Sequence, residues 1–200
     1  MPFSFSHRKA TQALNFFALK AGRSINKMKA LKLVYFADRF HLRKYGRPVV
    51  GDEYLAMTYG PVASGTKDLA EMSDFLGEEE AHYAKRFIQP SESGLAYSSV
   101  SELDEKVFSE SDKEALQFAW DRFGRVEKYA LSQLTHLYPD WKKHEAALKS
   151  KVVTRVPMSY RDFLQDPAGK ADPCHRLDDA ERNAIASGID EIAAFERRWR

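Results

Sequence analysis

INKMKALKLVYFADRFHLRKYGRPVVGDEYLAMTYGP, residues 25–61, is the stretch on which the fold turns. At 100° per residue, Met28, Leu31, Val34, Tyr35, Leu42 and Tyr45 line up on one stripe, and Leu33, Phe36, Ala37 and Phe40 on a second, roughly opposite. A helix that is apolar on two sides lies between other elements, so the pattern predicts a central helix from Ile25 to Tyr45. Asn26 suits the cap of its first turn and Gly46 the left-handed residue that closes its last. Arg43 and Lys44 stand where the helix dipole favours cations, and Pro48 forbids continuation. Val49 to Asp52 then reads as a turn, and Tyr54 to Tyr59 as a short strand halted by Gly60-Pro61.

Outward from this unit, Ala10, Ala13, Leu14, Phe17 and Ala18 recur at helical spacing between a Ser6 cap and a Gly22 stop. A further helix is expected from Ser64 to Phe75, after which Glu78-Glu79-Glu80 reads as a solvated loop. Between His82 and Val107 the helical period disappears. Residues 86–89 and 95–100 look like two strands across the turn-rich segment 90–94, and with the Tyr54 strand they would form one small antiparallel sheet. Ser109 or Ser111 caps a helix from Asp112 to Phe123, with Glu114 as a reciprocal cap, and another runs from Val126 to Tyr138. Val152 to Pro157 reads as an extended connector and residues 160–164 as a short helix. Residues 178–200 form a terminal helix whose Ile185, Ile189, Ile192, Phe195 and Trp199 share a docking face. The expected fold is mainly α (α+β), a helical bundle around a central helix with a small antiparallel β-sheet, with residues 1–150 as the domain and 151–200 as a C-terminal extension.

Two hundred residues suit one domain that buries its own core. The single Cys174 has no partner for an internal disulfide, and no charged-then-apolar leader or long apolar run is present, so the cytoplasm is the expected compartment and no membrane partner is expected. The net charge of +2 hides a segregation: residues 1–47 carry +10, residues 48–121 carry −11 and the remainder +3. Such asymmetry suits either a face for an anionic partner, nucleic acid included, or two halves that neutralise each other within the fold.

Catalytic chemistry needs reacting groups at readable spacing, and the chain offers no glycine-rich nucleotide motif, phosphate-loop lysine, Gly-x-Ser-x-Gly elbow or cysteine pair. Of six scattered histidines only His41 shares a helical face with a carboxylate, Asp38, and a side-chain hydrogen bond to a neighbouring loop explains that pair without a metal. Cys174-His175 offers a thiol beside an imidazole, but adjacent side chains point apart and no orienting carboxylate is near in sequence, so a surface cysteine is the simpler reading. No enzyme activity, cofactor or metal is expected.

KLVYFADRFHLRKYGRPVVGDEYLAMTYGPV, residues 32–62, resembles the central signature of the Panacea domain, the SocA-like antitoxin family. Members read K-L-x-Y-F-A-D-x-x-H-L-x-x-Y-G-R-P-x-x-G-D-x-Y-x-A-M-x-Y-G-P-V, so the match runs almost position by position. The resemblance implies an antitoxin that binds and neutralises a cognate toxin encoded beside it, with relatives in bacteriophages and with one domain paired to many unrelated toxins. It also implies an alternative, an adaptor that delivers the toxin to a cytoplasmic protease. A nucleic-acid binder using the basic first 47 residues is a reading of another class.

The partner-binding residues expected from the sequence are Lys32, Arg39, Arg43 and Arg47, which span about 80° of the central helix, together with Tyr54 and Tyr59. The rival reading places this arc inside the monomer and the partner along the strand edge from Tyr54 to Tyr59. Because one core would serve many toxins, specificity is expected in Glu78-Glu79-Glu80, the 90–94 turn and the tail after Ser150.

Overall fold

A computed structural model describes residues 2–168 and 173–198. Helix α1 (His7–Lys20) is capped by Ser6, whose side chain accepts from Lys9 N, and it leads into a short strand β1 (Ser24–Asn26). Helix α2 (Lys27–Tyr45) follows at once: Asn26 accepts from Lys29 N, and Gly46 closes the last turn at φ 73°. The central helix thus has the predicted caps, but Ile25 lies in β1 ahead of it. Both apolar stripes are covered along the middle of α2, while Tyr45 at its end is exposed. Phe36 stacks on Phe123 at 3.9 Å between centroids and Phe40 on Phe118 at 4.3 Å, while Tyr35 meets Tyr54, Tyr138 and Phe163 edge-on.

Strand β2 (Tyr54–Met57) turns back tightly into β3 (Gly60–Ala63), so Gly60-Pro61 begins a strand and does not halt one. Gly60 has φ +97°, and a Cβ there would collide with Thr135 Oγ1. Helix α3 (Ser64–Glu71) and helix α4 (Glu78–Lys85) come next. Glu78-Glu79-Glu80 is therefore the first turn of a helix, where carboxylates suit the dipole and Glu80 accepts from Gly77 N at 2.9 Å. Strands β4 (Ile88–Pro90) and β5 (Ala96–Ser99) form the expected hairpin.

Helix α5 (Glu110–Phe123) is capped by Ser109, with Asp112 supplying the reciprocal bond expected of Glu114. Helices α6 (Lys128–Thr135), α7 (Pro139–Lys142) and α8 (Glu145–Lys149) are short. Strand β6 (Arg155–Pro157), a 3-10 turn at Tyr160–Leu164 and helix α9 (Asp179–Arg198) complete the described chain. The fold is 55% helical with small antiparallel sheets.

One sheet was expected and two are found. β5 pairs with β1 and β4, whereas β2 pairs with β3 and β6. The Tyr54 strand therefore never meets the 88–99 hairpin, because its free edge is taken by β6, with Met57 opposite Arg155 and Leu55 opposite Pro157. The residues expected as a connector thus complete a sheet. The tail is joined to the core as well: Tyr160, Phe163, Leu164, Cys174, Leu177 and Ile189 belong to the same buried cluster as α2. On α9, Ile189 is buried and Ile185 packs against the cluster, while Ile192 and Phe195 are exposed; Trp199 lies outside the described residues.

Candidate partner-binding site

Burial of an unpaired charge is costly, so charged residues on a buried helix must find partners. Helix α2 buries Lys32, Asp38, Arg39, His41 and Arg43 among its apolar residues. Asp38 Oδ1 accepts from Val49 N at 2.9 Å and Val50 N at 3.0 Å, and its Oδ2 from Tyr54 OH at 3.0 Å. This clamps the turn behind Pro48 onto the helix. Burial pushes the Asp38 carboxyl up to about 7 even though these donors favour its ionised form. His41 donates from Nδ1 to Arg47 O at 2.6 Å and lies 3.0 Å from Ser111 Oγ through Nε2, a neutral arrangement consistent with a pKa lowered by burial.

The arginines are internal too. Arg39 donates to Asp140 Oδ2 at 3.0 Å, which also accepts from Tyr35 OH at 2.7 Å, and its guanidinium lies 4.5 Å from the Tyr138 ring centre. Arg43 reaches His175 O at 2.7 Å, Phe163 O at 3.1 Å and the Asp166 carboxylate. Arg47, just beyond the helix, pairs with Asp112 at 3.1 Å and keeps a half-exposed side chain. Of the residues expected to bind a partner, Lys32, Arg39, Arg43 and Tyr54 are buried, and Arg47 and Tyr59 reach solvent. Helical angle placed these residues on one face without revealing that α7 and the tail lie across it.

The basic amino-terminal segment finds acids within the chain. Arg8 pairs with Glu79, Lys9 and Arg47 with Asp112, Arg23 with Glu102, Lys27 with Glu71 and Lys44 with Glu114. These five acids all lie in the −11 segment, so the two halves neutralise each other within the fold. Cys174 is buried in the core cluster, contrary to its reading as a surface residue. His175 offers its carbonyl to Arg43, and its ring meets the edge of Phe40 at 6.4 Å. Among the described residues no group of three His, Cys, Asp or Glu is placed to hold a metal, and no helix is long and apolar enough to cross a membrane.

What remains for a partner is the open end of the β2–β3 hairpin. Tyr59 at its tip is 61% exposed, its carbonyl held by Ser132 Oγ at 2.9 Å. Thr154, the residue before β6, lines the same cleft as Tyr59. Between this end and the first turns of α2 lies a cleft of about 380 Å³ walled by Met28, Leu31, Met57 and Val62, with Lys32 among its lining residues. Sequence reasoning named Tyr59 and Lys32 but missed Met28, Val62 and Thr154 as cleft-lining residues, because their meeting depends on contacts between segments far apart in the chain.

Residues 31–142, over half of the chain, match the family model described as "Antitoxin SocA-like, Panacea domain". No curated protein and no solved structure matches.

Proposed function

The chain belongs to the SocA-like antitoxin family that carries the Panacea domain, and we propose on that ground that it is the antitoxin of a toxin–antitoxin pair, neutralising its cognate toxin by direct protein–protein contact. The family match carries the reading. It spans α2 from Leu31 onward, the β2–β3 hairpin, α5 and α6, and so takes in most of the cleft residues, with Lys27, Met28 and Thr154 outside it. The reading is of a binding module without catalysis of its own, acting in the cytoplasm, where a buried lone thiol such as Cys174 stays reduced. Exposed Tyr59 at the cleft supplies the aromatic area that protein interfaces draw on.

The test is co-expression with the product of the neighbouring reading frame. That product alone should arrest growth, the pair should grow, and the two proteins should co-purify. A neighbouring product that is harmless alone, or rescue without any complex, overturns the proposal. The adaptor reading differs in one observable: toxin levels would fall only when a cytoplasmic protease is active.

A further inference from the structure

We propose that the cleft beneath the β2–β3 hairpin is the anchor point of the toxin, and that it takes an Asp or Glu side chain carried on an apolar segment, with Lys32 as the buried counter-charge. The proposal rests on the antitoxin reading and names the chemistry that reading leaves open.

The contrast among the buried cations of α2 carries the argument. Arg39 faces Asp140 and Arg43 faces Asp166, but Lys32, 1% exposed, has no carboxylate partner among the described residues. Among the described residues its ammonium makes one donation, Nζ to Pro61 O at 2.6 Å, for a group with three N–H donors. Burial without a counter-ion pulls its pKa down to about 7. A structural role alone would be served by a neutral donor or an apolar residue. A charge kept in this position is set for an anion that arrives from outside.

The cleft supplies the rest of such a site. Its walls are apolar, and its volume of about 380 Å³ sits at the small end of binding pockets, room for a short anchor and not for a helix. At the rim Lys27 and Lys67 share the carboxylate of Glu71, each at 2.6 Å, and Lys67 also lies 3.8 Å from Asp68, so the rim lysines are matched within the chain and Lys32 alone among the cleft's described lysines is left without a counter-charge. An anion about 4–6 Å from a cation already favours its charged form. A toxin carboxylate seated in the cleft therefore stabilises the charged form of Lys32 without displacing the Pro61 bond.

The experiment is a double-mutant cycle between purified antitoxin and the purified product of the neighbouring reading frame. Lys32→Met removes the charge at similar length and should weaken binding by about tenfold or more, with the melting temperature held or raised. One Asp→Asn or Glu→Gln change on the toxin should weaken binding comparably, and the two losses should be non-additive. Thr154→Trp, at an exposed position on the cleft mouth, should block binding without touching the core, and serves if Lys32→Met fails to fold. The proposal is overturned if either variant folds and binds as the parent does, or if no acidic toxin side chain couples to Lys32. Failure of the unmodified pair to associate at all would instead refute the antitoxin reading.

Discussion

Lys32 and Arg39 stand about two turns apart on one face of α2 and meet opposite fates. Arg39 is held by Asp140 and an aromatic face, so Arg39→Ala strips a buried carboxylate of its charge partner and should cost about 3–5 kcal/mol in urea unfolding. A loss under about 1 kcal/mol would mean that the pair is solvated. Lys32 loads the fold the other way. With its folded pKa near 7 and an ordinary unfolded value of 10.5, the unfolded chain binds more protons above pH 7, so stability should rise from about pH 7 to about pH 9.5. Asp38, also near 7, is ionised in both states across most of that window and adds little slope, and the buried tyrosines, raised by burial, act only above it. Lys32→Met should flatten the rise; an unchanged slope in chemical denaturation at four pH values would show that Lys32 titrates normally. The arc of cations was legible as a face and illegible as an interior. Angle along a helix is local information, whereas Asp140 and Asp166, which neutralise Arg39 and Arg43, are 101 and 123 positions away.

At the level of elements, what the sequence shows and what it hides divide along the same line. Ser6, Asn26, Ser109 and Gly46 cap the helices predicted for them because a cap is a bond within one turn. Phe36, fully buried and stacked on Phe123, makes α2 the central element, and Phe36→Ala should lower unfolding free energy by about 3–5 kcal/mol. Less than about 1 kcal/mol would remove α2 from the centre. Strand pairing escaped because it is not local: β1 hides in what reads as a helix start, and β6 reads as a connector until β2 is known to lie beside it. The hairpin has its own constraint at Gly60. Gly60→Ala asks a side chain to adopt a positive φ and to displace Thr135, so it should cost about 1–3 kcal/mol and shift the cleft wall. Wild-type melting and wild-type toxin affinity in that variant would mean that the hairpin relaxes freely.

Over the whole molecule, the segregation of charge along the chain becomes complementarity in space, and the tail ceases to be an extension. The Tyr160–Leu164 turn covers Tyr35 and Tyr54, Tyr160 OH donates to Asp52 O at 2.7 Å, and Arg182 reaches back to Leu164 O and Asp166. The sequence misled here, because the apolar residues of 151–168 follow no long helical or strand period, and their docking by Tyr160, Phe163 and Leu164 shows only when α2 is seen beside them. A chain ended at Ser150 should therefore lose cooperative unfolding, and exchange of the whole tail with a relative's should harm folding before it moves toxin choice. A sharp single transition in the shortened chain, by calorimetry, would restore the tail to a mere appendage. The Glu78–Glu80 turn and the 90–94 loop both lie at the surface. Arg39 and Arg43 add a temporal consequence. Synthesis proceeds at about 5–20 residues per second, so α2 leaves the ribosome several seconds before Phe163, Gln165 and Asp166, the groups that receive its guanidinium ends. A nascent chain stalled before residue 160 should stay protease-sensitive across α2, and one released at full length should resist. Completion of the packing around α2 thus waits for residues 163–166.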